Sequence, residues 1–224
     1  MAEMKSAKKG RARKAVADSP AVKVVKAAMA LAAVQGWRDT TMADIADQAG
    51  MNLADLRQLF GSKTAILAGL IRLTDEQVIR GSSPDMAAEP VRDRLFDVIM
   101  RRLDALAPYR EGIAAVALDL RRDPAAVACL AAGPGRRSLQ WMLEAARIQP
   151  WGLLGPLQLK GLGLIYLSVL RVWLQDDGED LSQTMAALDK ALGRVDSILG
   201  SLRRGPGGFG RSANEPEAPD AAAQ

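Results

Sequence analysis

The chain has 224 residues, 49% of them apolar, and carries 30 Lys and Arg against 26 Asp and Glu for a net charge of +4. That length and apolar content support one compact body with a small appended unit and leave no need for a second large one. Histidine is absent and Cys129 is the single cysteine, which removes the commonest general base, the commonest transition-metal ligand and any internal disulfide together.

Residues 1–14 hold Lys5, Lys8, Lys9, Arg11, Arg13 and Lys14 against Glu3, so this stretch is +5 and the basic balance of the chain belongs to it. No apolar run follows these charges before Pro20, as a secretory signal would require. Residues 1–19 are expected to form a disordered basic arm. It suits phosphate tracking or a minor groove, and a solubilising tail is the plain alternative. A first helix is predicted over 20–35, with Pro20 in its first turn and Gly36 at its end. Val24, Val25, Ala28, Leu31 and Ala32 form its apolar stripe, and Trp37 is expected to pack in the core beneath the next unit.

That unit is Thr40–Lys63, TTMADIADQAGMNLADLRQLFGSK, which sets two short helical patterns around a small-residue turn and reads as a helix-turn-helix. Ile45, Ala46, Ala49, Met51, Leu56 and Leu59 supply its apolar and small positions, and Gly50 begins the turn, where a left-handed backbone disfavours a residue with Cβ. Asn52 stands where a second helix over 53–59 needs a cap. Arg57 and Gln58 suit hydrogen bonds to base edges or phosphates, Asp55 a cytosine amino group, and Leu53 and Ala54 thymine methyls. Thr41 has two readings, a cap for its own helix or a phosphate contact, and Lys63 two, a phosphate contact or a solvated surface.

Longer helices are predicted next, over 63–80, 90–106, 110–122, 124–132 and 136–148, with breaks at GSSPDMAAEP, at Asp123-Pro124 and at Gly133-Pro134-Gly135. In 90–106 the apolar side is Val91, Leu95, Val98, Ile99, Leu103 and Leu106. Arg92, Arg94, Arg101 and Arg102 read as a solvated face because Asp93, Asp97 and Asp104 are interleaved with them. Cys129 reads as a small buried hydrophobe. The 157–174 stretch is apolar nearly all round, yet Lys160 and Arg171 interrupt it and it is too short to span a bilayer core of about 30 Å comfortably. It is expected to pack partly against a second subunit, together with a final helix over 181–202. Residues 205–224 are Gly, Pro and Ala rich and expected to be disordered. With no alternating strand pattern, the class is all-α.

The run TT-M-x-x-IA-x-x-AG-M-N-x-x-x-L-R-x-L-F-G-SK resembles the start of the TetR-type transcriptional regulators, and the match extends back through Val24, Val25, Ala27, Ala28, Leu31, Gly36 and Trp37 to cover about residues 22–70. Arg57 replaces the family's usual Tyr and Leu59 its usual His. The resemblance implies a three-helix DNA-binding domain at 20–62, followed by a larger helical ligand-binding and dimerisation domain at 63–204. It implies a cytoplasmic, nucleoid-associated repressor that binds double-stranded DNA as a homodimer, without a cofactor, metal or catalytic residue. DNA contacts then fall to Arg38, Thr41, Asn52, Leu53, Ala54, Asp55, Arg57, Gln58 and Lys63, and the dimer to Leu164, Leu167, Leu170, Leu188, Leu192 and Val195 on the last two helices. A pocket for a small apolar effector is expected among Phe96, Met100, Leu103, Val116, Leu120, Trp141, Met142, Ile165 and Tyr166, whose helices offer few convergent polar groups.

The runs VRDRLFDVIMRRLDALAPYRE and RVWLQDDGEDLSQTMAALDKAL are similar to the C-terminal domain of the TetR-fold lipid-binding accessory proteins of ubiquinone biosynthesis. This second resemblance implies an isoprenoid- or lipid-presenting protein with a degenerate helix-turn-helix. Two function classes therefore compete, and an enzyme is the more distant third.

Overall fold

The computed structural model describes residues 18–149, 155–178 and 180–204, excluding the side chains of Pro84 and of 195–204. Most of the basic arm (residues 1–17), the expected disordered tail and the Val195 side chain lie outside the described residues. Among those described, the chain is all-α: α1 (Pro20–Gln35), α2 (Met42–Ala49), α3 (Leu53–Leu59), α4 (Lys63–Arg80), α5 (Val91–Leu106), α6 (Arg110–Leu120), α7 (Pro124–Leu130), α8 (Arg136–Ala145), α9 (Gly155–Trp173) and α10 (Ser182–Arg204).

Local chemistry sets most of these boundaries. Ser19 caps α1, accepting the Val22 N–H at 3.4 Å, and Pro20 occupies the first turn, where no N–H partner is missed. Asp123 caps α7 by accepting the Ala126 N–H at 2.9 Å. α8 stops three residues before the expected 148, where Arg147 takes a positive φ of 53°. The expected break at Gly133-Pro134-Gly135 is instead a π-helical turn, Ala131–Gly135, that keeps the chain winding from α7 into α8. Pro134 has no N–H to donate, and the wider π turn takes it without ending the helix.

α1 lies against α2, α4 and α6, α4 against α5 and α8, and α9 against α10, around one apolar cluster that runs from Val24 and Ile45 at the N-terminal end to Trp173 and Leu188 at the other. Trp37 is buried in it, as expected. The approach of α1 to α6 is very close at Gly112, where an added Cβ would stand 2.4 Å from the Met29 carbonyl oxygen. α6 therefore seats α1, the helix that carries the helix-turn-helix, with backbone against backbone.

Two readings of the sequence are corrected here. The arginines of α5 do not form a solvated face: Arg102 is 3% exposed, Arg94 donates to the Ala146 and Arg147 carbonyls at 2.9 and 3.1 Å, and Arg101 bridges to Asp97 and to the Met86 sulfur. Position 102 continues the series Leu95, Ile99, 102, Leu106, which is the helical spacing of the buried stripe. Cys129 is exposed, because α7 packs on one side only and turns the thiol and Val127 outward.

Arg102 is held in a buried polar cluster. Its guanidinium pairs with Asp75 of α4, its Nε donates to the Tyr166 hydroxyl of α9 at 3.0 Å, and Asp75 also accepts from Ser138 of α8 at 2.6 Å. Burial disfavours the guanidinium charge, but Tyr166 and Asp75 outweigh burial and hold the Arg102 pKa above its ordinary value. One ion pair with its two hydroxyls thus ties four helices together.

Candidate nucleic-acid interface

α2 and α3 are each closed by three-residue side-chain caps. Thr41 Oγ1 accepts the Asp44 N–H at 3.1 Å, and the Asp44 carboxylate accepts the Thr41 N–H at 2.8 Å, a reciprocal capping box. The hydrogen bonds from Thr41 hold the Asp44 carboxyl below the usual carboxylate range. Gly50 follows α2 at φ +67°, and the Met51 N–H reaches back to the Ala46 carbonyl at 3.0 Å, which closes the turn. Asn52 then caps α3: its oxygen accepts the Asp55 N–H at 2.8 Å and its amide nitrogen donates to the Asp55 carboxylate at 2.6 Å.

Ile45, Ala46 and Leu56 hold α2 and α3 together from within, and the outer side of α3 is open. Leu53, Ala54, Arg57 and Gln58 border one shallow depression there. Leu53 is half-exposed, and Arg57 is exposed and makes no ion pair among the described residues. The structure thus brings together four of the residues singled out in the sequence. Asn52 and Asp55 turn to each other, which engages the amide and one carboxylate oxygen within the cap.

Arg38 and Lys63 flank this surface differently. The Arg38 side chain is exposed, while its backbone N–H donates to Asp119 of α6 at 2.8 Å and ties the turn after α1 to the body. Lys63 is half-buried, with its ammonium 4.7 Å from the Trp37 ring centroid and donating to the Trp37 carbonyl and, at 3.3 Å, to that of Arg38. Burial lowers its pKa. Two of its three N–H donors serve the fold, so one is left for an anion. The stretch Thr40–Lys63 itself is not basic, with Asp44, Asp47 and Asp55 against Arg57 and Lys63.

The residues expected at the dimer divide. Leu164 and Leu167 of α9 are 71% and 61% exposed and, with Leu157, form a bare stripe at helical spacing, while Leu170 is half-buried. Leu188 and Leu192 are covered by their own subunit, since this side of α10 packs on α9 and α5. The nine expected pocket residues have different surroundings. Leu103, Val116 and Met142 are packed in the core and Phe96, Met100, Ile165 and Tyr166 are half-buried. Leu120 borders a cleft beside Lys63, and Trp141, 47% exposed, borders a separate groove between α4 and α8. Nor is that region short of polar groups, since Arg102, Asp75 and Ser138 meet in it. No helix among the described residues is long and apolar enough to cross a membrane, and none of those residues forms a cluster able to hold a metal.

Residues 24–70 match the family described as bacterial regulatory proteins, tetR family. Three similar solved structures carry the likeness through the rest of the fold. A TetR transcriptional regulator from Nitrosomonas europaea ATCC 19718 is 24% identical with a TM-score of 0.65, covering 79% of this chain and 98% of its own. A TetR transcriptional regulator from Rhodococcus sp. RHA1 is 23% identical with a TM-score of 0.54, covering 79% and 94%. A transcriptional regulator from Rhodococcus sp. Rha1 is 19% identical with a TM-score of 0.52, covering 81% and 97%. No curated protein matches the chain.

Proposed function

From its TetR fold and TetR-type N-terminal segment, we propose that this chain is a cytoplasmic DNA-binding transcription regulator that acts as a homodimer on a pseudopalindromic operator and answers to a small apolar effector. The observation that carries the reading is the outer face of α3. Arg57 and Gln58 stand exposed on it beside Leu53 and Ala54, and Asn52 caps the helix by accepting the Asp55 N–H. Such a face offers hydrogen bonds and apolar contact to base edges, and the helix-turn-helix body gives it little positive charge. The phosphate attraction then falls to Arg38, the remaining Lys63 donor, the Thr41 end of α2 and above all the six cations of residues 1–14.

Two half-sites require two copies about 34–36 Å apart, or a longer multiple. The stripe of Leu157, Leu164 and Leu167 supports α9 as the joining surface. Three exposed leucines on one helix forfeit several kcal/mol at roughly 25 cal/mol per Å² unless a partner covers them. The division into a DNA-binding unit at 20–62 and an effector and dimer unit at 63–204 belongs to the same reading. The lipid-presenting alternative gains no support from the structures the chain is similar to.

The deciding experiment is selection of bound sequences from random duplex DNA, with the full chain and with residues 1–14 removed, alongside sedimentation of the full chain at micromolar concentration. A palindromic consensus and a dimer are expected, with the shortened chain enriching the same consensus at a lower salt dependence. A stable monomer that enriches nothing would return the assignment to lipid binding.

A further inference from the structure

A groove of about 640 Å³ runs along the outer side of α4, closed at one end by the last residues of α3 and on the far side by the π turn and α8. Large apolar side chains are left bare along it: Leu59 at 43%, Ile79 at 39% and Trp141 at 47% exposure. Singly exposed apolar groups need no explanation, but three on one concavity sized for a small organic molecule do. Its form is fixed by the fold. The Phe60 ring lies against α4 where Gly69 leaves room for it, and Gly133 and Pro134 of the π turn line the opposite rim. π turns recur at functional sites.

The charges along the groove are unequal. Glu76 lies between Arg72 at 3.7 Å and Arg80 at 3.4 Å, and Asp75 is engaged by Arg102 and Ser138. Arg137 is exposed and has no ion-pair partner among the described residues. It stands one turn before Trp141 on the same side of α8, so the uncompensated charge is positive and lies beside the largest apolar surface.

We infer that this groove is a binding site for a small carboxylate-bearing amphiphile, its apolar body on Trp141, Ile79 and Leu59 and its carboxylate on the Arg137 guanidinium. Arg suits the task because its planar fork donates to both carboxylate oxygens. An occupant would touch α8, α4 and the end of α3 at once, and so reach the recognition helix without entering the core that holds Leu103, Val116 and Met142. Binding is read on the protein without DNA, so failure of this site and failure of the operator reading remain separate results.

The test is titration calorimetry of the full chain with decanoate below its micellar concentration, beside decan-1-ol and decyltrimethylammonium. Decanoate is expected to bind at one site per chain, and the cation much more weakly. Arg137→Gln, at an exposed position that leaves the fold intact, should weaken decanoate about tenfold or more and leave decan-1-ol unchanged. Ala68→Phe fills the groove from α4 and should abolish binding of both, and Trp141→Ala, also exposed, should weaken both if the Phe variant does not fold. Failure of decanoate to bind overturns the assignment, as does equal binding by Arg137→Gln, by the cation, or by the variants that fill or strip the groove.

Discussion

The helix-turn-helix and the body beneath it are held by polar bonds of very different reach. In the first, Thr41 with Asp44, Asn52 with Asp55 and Ser62 with Ala65 each close over three residues. In the second, Asp75 meets Arg102 and Ser138 across 27 and 63 residues, and Arg102 meets Tyr166 across 64. Further along the body, Arg110 donates to the Asp176 carbonyl at 2.6 Å across 66 residues and Arg92 pairs with Asp189 at 2.6 Å across 97. The short bonds shape single helices, and each can form before anything else does. The long ones exist only once helices have packed; those of the Asp75, Arg102 and Ser138 cluster sit where water is excluded, whereas Arg92 and Asp189 meet at the surface. Loss of one partner therefore has different consequences in the two regions: an exposed cap is rehydrated, whereas a buried charge is stranded.

The largest effect should come from stranding that charge. Asp75→Ala leaves the Arg102 guanidinium buried without its counter-ion and should lower unfolding stability by about 3–5 kcal/mol in urea titrations. Replacing the pair together, Asp75→Leu with Arg102→Met, should recover most of the loss, because a well-packed apolar pair avoids the desolvation of both ions. A single variant as stable as the wild type would mean that the cluster is no anchor.

Gly112→Ala attacks the contact through which the two regions are joined. A Cβ 2.4 Å from the Met29 carbonyl forces α1 away from α6. Stability should fall by about 1–3 kcal/mol, as overpacking does. Operator affinity should fall with it, since α1 seats the helix-turn-helix; unchanged affinity in a mobility-shift titration would uncouple the two. Arg57→Ala addresses the outer face alone. It should weaken DNA binding by about 1–3 kcal/mol with no change in thermal midpoint, because the side chain makes no ion pair among the described residues.

Cap loss should be milder. Asn52→Ala removes one exposed cap from α3 and should cost about 1 kcal/mol, read as faster amide exchange confined to that helix. Exchange that accelerates equally in α4 and α8 would erase the distinction between local and long-range bonds. A small, pH-dependent effect is expected at the start of α10. There the Thr184 hydroxyl and N–H, the Gly178 N–H and the charge of Arg110 hold the Asp176 carboxyl below its ordinary value. A depressed carboxyl pKa contributes stability that is present above the unfolded value near 3.8 and is lost as pH falls through the folded value. The acid limb of the stability curve should therefore shrink in Asp176→Asn, and an unaltered limb would assign acid sensitivity to other carboxylates.

How much of this was legible in the sequence follows the same division. Helix bounds of α1, α3 and α4, the turn at Gly50, the Asn52 cap and the exposed set on α3 are readable, because caps, turns and helical spacing depend on residues within one or two turns of each other. The all-α class followed from the same local patterns. The aspartates interleaved with Arg102 suggest solvation, whereas its register with Leu95, Ile99 and Leu106 is that of the buried stripe. That Leu188 and Leu192 face inward, that Leu164 and Leu167 face out, and that Trp141 stands in an external groove depended on which neighbour covers which side of each helix. Periodicity states that a helix has an apolar side and how wide it is. The partner that buries that side is chosen by packing among helices many residues apart, and only the tertiary structure decided it.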